Sequence, residues 1–202
     1  MSDPTPQSQP SPSARPPGFA EDFVAYLRRV CMDPGARAAL RRAARRRPAE
    51  AITAHRYLAA WVGESSSAHR EAVLYQTAAW VATYDRAPHT DGSRGSRLGQ
   101  ALAAAVRGGG GTRIAETSAE TRLMAAGRAP GDALLYQHLP QILSAVTAAG
   151  QRIDFAALTR DLFRWPTRSA EISKRWMSDF YRDLQPADLN APVTASTTVT
   201  SG

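Results

Sequence analysis

The stretch "IDFAALTRDLFRWPTRSAEISKRWMSDFYRDL", Ile153 to Leu184, decides the fold class. Asp154 stands where a helix N-cap belongs, and Ile153 and Leu158 flank the start at hydrophobic-staple spacing. "WP" at 165–166 predicts the end of that helix, because proline lacks the N–H that the helix ladder needs. A last helix is expected over Ser169–Leu184. It stacks Ile172, Trp176 and Phe180 at i, i+4 and i+8, with Met177, Tyr181 and Leu184 beside them. A stripe of that period buries itself against other helices.

The same period runs outward through nearly the whole chain. Phe19–Met32 puts Phe19, Phe23, Tyr26, Leu27 and Val30 on one side. "DPG" at 33–35 opens a second helix, with Asp33 as N-cap and Pro34 in the first turn, and Pro48 stops it. Helices are expected over Ala49–Val62, Ala68–Tyr84 and Arg97–Arg107, with a polar turn-rich loop at 85–96. "GGGG" at 108–111 reads as a flexible break, and Thr117 and Glu120 have capping-box spacing for the helix after it. A helix over about Gly131–Ala149 holds Pro140 as a kink or a break. No period-2 strand and no repeat is visible. The expectation is an all-α fold: one helical domain over residues 19–186, a bundle of about eight or nine helices. Residues 1–18 and 187–202 offer almost nothing to bury and read as disordered tails.

The net charge is +7, and residues 19–186 hold 24 basic against 16 acidic residues. Such a balance predicts a polyanionic partner or an acidic membrane surface. No stretch is long and apolar enough to span a membrane, and the N-terminal segment lacks the apolar core of a signal peptide. The one cysteine, Cys31, cannot pair within the chain. A cytoplasmic protein is expected, with Cys31 as a small core residue.

The charge is densest in "GARAALRRAARRRP", residues 35–48, which holds six arginines and no acid. Wound as a helix, Arg37, Arg41, Arg42, Arg45 and Arg46 share one half of the circumference, while Ala36, Ala39, Leu40, Ala43 and Ala44 fill most of the other. A merely solvated face normally mixes signs. Here arginines at i and i+4 repel one another, which calls for an anion nearby. Guanidinium matches phosphate bidentately, so nucleic-acid backbone is the expected partner. Arg94 and Arg97 beside the 85–96 loop, Arg122 and Arg128, and Arg164, Arg168, Lys174 and Arg175 around the "WP" turn are candidates to extend that surface. Trp61, Trp80, Trp165 and Trp176 fall in apolar patterns or at a helix end and belong to the core, not to base stacking.

Catalytic chemistry is not visible. His55, His69, His89 and His138 have no zinc-site spacing, and no CxxC exists. "RGGGGTR" at 107–113 lacks the Lys-Ser/Thr of a P-loop. Asp154 and Asp161 share a helix face, but one N-cap and one surface acid account for them. The expectation is a protein that is not an enzyme and has no cofactor or metal.

Several stretches together resemble one family. These are "GARAALRRA" (35–43), "RLGQAL" (97–102), "ETRLMAAGRA" (120–129) and "IDFAALTRDLFRW" (153–165), followed by Trp176 and the pair Phe180–Tyr181. In order and spacing they resemble CasB, the small subunit of the type I-E CRISPR Cascade complex, over roughly residues 20–184. At 135–143 the chain has "LYQHLPQIL" where the family often has arginines. The resemblance implies an all-helical, non-enzymatic subunit. Two copies would lie beside the CasC backbone and the CasA large subunit. They would help hold the guide RNA–target DNA heteroduplex and the displaced non-target strand, with no membrane partner. Gripping backbone without reading bases suits a complex that must accept any guide. The alternatives are a free-standing helix-turn-helix transcription regulator and a protein whose basic face meets an acidic protein. Residues 35–47 carry none of the Asn, Gln or Ser usual beside the arginines of a recognition helix.

Overall fold

The computed structural model describes residues 18–43, 52–63, 66–85, 95–108 and 111–185. Among them are eight helices: α1 (Phe19–Val30), α2 (Pro34–Ala43), α3 (Ile52–Leu58), α4 (Ala68–Tyr84), α5 (Leu98–Arg107), α6 (Glu116–Gly127), α7 (Asp132–Ala148) and α8 (Phe155–Leu184). The all-α architecture is as the sequence predicts. The only strand-like pairing among the described residues is a single parallel bridge between Ser96 and Ile153.

α4 is the central helix. It buries Val73, Leu74, Tyr75, Thr77, Ala78, Ala79, Trp80, Val81 and Ala82, so it is apolar around most of its circumference. α1, α2, α7 and α8 pack against it. Thr77 and Thr159 meet inside the core at 3.3 Å, and Thr159 also donates to the Phe155 carbonyl at 2.6 Å. These bonds satisfy hydroxyls that would otherwise be costly to bury.

α8 sets the remaining geometry. Asp154 caps it as expected, accepting from Ala157 N at 2.9 Å. The break expected near "WP" is present, and the last helix begins at Ser169 as the sequence predicts. The backbone leaves helical angles at Arg168 (φ −136°, ψ 24°), two residues beyond Pro166. Pro166 removes a ladder bond, which weakens the helix there, and the break falls where the chain must reverse. The reversal is sharp. Trp176 Nε1 donates to Asp161 Oδ2 at 2.8 Å, and Arg175 Nη2 bonds Oδ1 of the same carboxylate. Along a straight helix those fifteen residues would span about 22 Å, far beyond the reach of both side chains. The first arm, 155–167, and the second, 169–184, therefore fold onto each other, with Trp165 stacked on Trp176 at 5.2 Å.

α5 crosses the second arm closely at Gly99. A Cβ there would run into the Trp176 carbonyl and lie 3.0 Å from Phe180 N. The glycine of "RLGQAL" thus marks a helix crossing. α6 lies antiparallel to the second arm, since Tyr181 bonds Glu120 and Ser173 Oγ donates to Gly127 O at 2.8 Å.

Local helix boundaries differ from expectation in three places. α1 ends at Val30, and Cys31 and Met32 form a turn. α3 ends at Leu58, where Trp61 N and Val62 N both donate to the Leu58 carbonyl. α6 starts at Glu116 without a side-chain cap, so Thr117 and Glu120 form no capping box. Its entry is set by tertiary backbone bonds instead, Thr112 N to Ala148 O at 3.2 Å and Ile114 N to Ala105 O at 3.4 Å. Gly111 is pressed against the end of α7, with no room for a Cβ beside Ala148 and Ala149. Pro140 sits inside α7 without breaking it.

Candidate nucleic-acid interface

α2 begins as its sequence dictates. Asp33 Oδ2 accepts from Ala36 N at 2.8 Å, Pro34 occupies the first turn, and Ala36, Ala39, Leu40 and Ala43 are buried. Arg41 and Arg42 are exposed. Arg42 Nε donates to the Ala38 carbonyl at 3.1 Å. Arg37 departs from the outward face expected of it. Its Nε donates to Ala82 O at 2.9 Å and its Nη2 to Asp85 O at 3.2 Å. Arg28 Nε meets the Asp85 carboxylate at 2.9 Å. Two guanidiniums thus close the C-terminal end of α4, where unpaired carbonyls and the negative end of the helix dipole favour cations. Arg45, Arg46 and Arg94 lie outside the described residues, as do His89 and the tails at 1–17 and 186–202.

The fold reversal in α8 brings other predicted residues together. Arg97, just before α5, Arg164 on the first arm and Arg175 on the second line one cavity of about 260 Å³ with Ala157, Arg160 and Asp161. Asp161 fixes Arg175, and Glu21 of α1 pairs with Arg160. Arg97 and Arg164 are exposed, and neither has an ion-pair partner among the described residues. Sequence reasoning missed Arg160, although its i, i+4 relation to Arg164 places both on one helix face. Asp161, expected as a plain surface acid, lines this cavity and holds Arg175.

The remaining candidates lie elsewhere. Arg168 is exposed at the reversal, 3.5 Å from Glu171. Arg122 is half-buried on α6 and Arg128 exposed just after it. Lys174 is exposed next to Ser173, the residue bonded to Gly127.

Other polar side chains are committed to structure. Tyr75 and His55 share a hydrogen bond of 2.6 Å, and His69 pairs with Asp132. Burial pushes the Cys31 thiol up, away from the thiolate that reactive cysteines need. Trp80, Trp165 and Trp176 are each 2% exposed. Trp61 packs among Phe19, Phe23 and Tyr26. Among the described residues no group of three His, Cys, Asp or Glu could hold a metal ion, and no helix is long and apolar enough to cross a membrane.

Fold and surface together define an all-helical protein with arginines in excess over acids on its exposed faces. Residues 36–181 match the family model of CRISPR-associated protein Cse2, and the chain belongs to that family, also named CasB. A chain of a CRISPR RNA-guided surveillance complex is 29% identical to it, with 82% of this chain and 92% of that chain covered and a TM-score of 0.65. A chain of such a complex in a pre-nicking state is likewise 29% identical, covering 82% and 93%, with a TM-score of 0.68. CasB from Thermus thermophilus is 26% identical, covering 81% and 97%, with a TM-score of 0.62. No curated protein matches the chain.

Proposed function

We propose that this Cse2-family chain is a non-enzymatic subunit of a type I-E Cascade surveillance complex and grips nucleic-acid backbone to stabilise the opened target. It sits beside the CasC backbone and the CasA large subunit, with a second copy of itself. Its ligands are the heteroduplex of guide RNA with target DNA and the displaced non-target strand. The observation that supports this most directly is a charge imbalance. Arg41, Arg42, Arg97 and Arg164 are exposed in a Cse2-family fold with no ion-pair partner among the described residues. Arg128 and Lys174 add to the same exposed charge, and Arg168 is exposed beside Glu171. Arg37 supports the surface from beneath by holding α2 to α4.

Phosphate contacts position nucleic acid without reading sequence. Exchanging a DNA duplex for an RNA–DNA heteroduplex is nearly balanced, so a few added phosphate contacts tip it. The isolated subunit has few contacts to offer at once and binds weakly. Held in the assembly, the same arginines act at high effective concentration. The test is an assembly lacking this subunit. Guide binding should persist, the target-bound open state should be shorter-lived, and the displaced strand should react more with single-strand probes. Equal lifetimes and equal reactivity with and without the subunit would overturn the proposal.

A further inference from the structure

We infer that the cavity between Arg97, Arg164 and Arg175 is a built seat for one phosphate group, distinct from the open face of α2. The inference rests on the backbone-gripping reading above and names the place where the grip is pre-formed.

The arginines come from three separate parts of the chain, and only the reversal of α8 and the docking of α5 bring them together. Two of the four guanidiniums around the cavity are already matched. Arg160 pairs with Glu21 and Arg175 with Asp161. Arg97 and Arg164 are not matched, which leaves an uncompensated positive charge facing a cavity of about 260 Å³. Like charges converging on one recess repel unless an anion joins them.

Asp161 does more than neutralise. Both its oxygens are engaged, one by Arg175 and one by Trp176 Nε1, and Trp176 is itself stacked on Trp165. Arg175 is therefore held in place before any ligand arrives, which lowers the ordering cost of binding. The lining includes no aromatic ring, so a base finds nothing to stack on. The volume is below the usual range for drug-sized ligands, about 300–1,000 Å³, and suits a phosphate group with its water. Guanidiniums present paired N–H donors in the geometry that phosphate oxygens accept. The group is either a backbone diester or a terminal phosphate.

The experiment uses the full chain and follows the indole N–H resonance of Trp176, which reports on Asp161. The probes are inorganic phosphate and a short oligothymidylate with and without a 5′-phosphate. Saturable movement of that resonance with phosphate is expected. It should be lost in Arg97→Ala/Arg164→Ala, whose other indole signals stay dispersed, and oligothymidylate affinity should fall about tenfold or more. Equal competition by both oligothymidylates assigns the seat to a diester, and competition only by the 5′-phosphorylated one to a terminal phosphate. No movement of the resonance, or the same movement in the double variant, overturns the seat. If the double variant binds oligothymidylate as wild type while Arg41→Ala/Arg42→Ala binds it more weakly, the seat is wrong and the backbone-gripping reading stands. If neither variant weakens binding, both fall.

Discussion

α2 and the α8 reversal are both rich in arginine, yet they are built on opposite plans. On α2 the charges are neighbours in sequence, and a single helix displays them. One of them, Arg37, turns away from solvent to close the end of α4, and Arg41 and Arg42 remain outside without acids. At the reversal the charges are distant in sequence and are converged by tertiary structure. Two are pinned by carboxylates, and Asp161, which pins Arg175, is tied through Trp176 to the core. Charge density along a chain and charge density in space are therefore separate quantities. The first can be spent partly on holding helices together.

Four substitutions separate the two plans. The largest effect is expected from Trp176→Ala. It removes a side chain that is 2% exposed, stacked on Trp165 and bonded to Asp161, and should cost about 3 to 5 kcal/mol. Thermal or denaturant unfolding reads this directly. Wild-type stability with lost nucleic-acid binding would make Trp176 a base-stacking residue and not a core residue.

Gly99→Ala comes next. The added methyl must displace either α5 or the second arm of α8, at about 1 to 3 kcal/mol. Because α5 follows Arg97, oligonucleotide binding should weaken beyond the loss in stability. Unchanged binding at reduced stability would mean that Arg97 is not positioned by this crossing.

Arg37→Ala should cost about 1 to 2 kcal/mol, because the last carbonyls of α4 lose charge-assisted donors. The salt dependence of nucleic-acid binding should keep its slope. A flattened slope would return Arg37 to the phosphate-contacting set. The smallest change in stability, within about 0.5 kcal/mol, is expected for Arg41→Ala/Arg42→Ala. In that variant the salt slope should flatten by about 1 to 2, equally for unrelated sequences. Loss confined to one sequence would indicate base reading and break the comparison from the other side.

Much of this architecture is legible in the residues. The bounds of the Ala68–Tyr84 helix and the Asp154 cap are local signals, and the structure reproduces both. The arginine seat is not legible, because no local pattern says that a helix broken near Pro166 folds back on itself. That depends on Trp165 meeting Trp176 and on Asp161 finding two donors. Arg37 escapes for a related reason. A helical wheel divides α2 into faces but does not show that the end of α4 covers one edge. The Thr117–Glu120 spacing misleads because backbone bonds to α5 and α7 fix where α6 begins.

The reversal of α8 also bears on the order of assembly. Its two arms are joined by the shortest of connections, and the bonds from Arg175 and Trp176 to Asp161 close loops of only 14 and 15 residues. Short loops lose little entropy on closing, and contacts local in sequence form quickly. The paired tryptophans can meet while distant segments are still being recruited. α5 enters from much earlier in the chain, and Gly99 needs the finished ridge of the second arm to lie against. Three arginines of the cavity thus belong to a locally closing hairpin, and Arg97 is delivered to them by a long-range docking event.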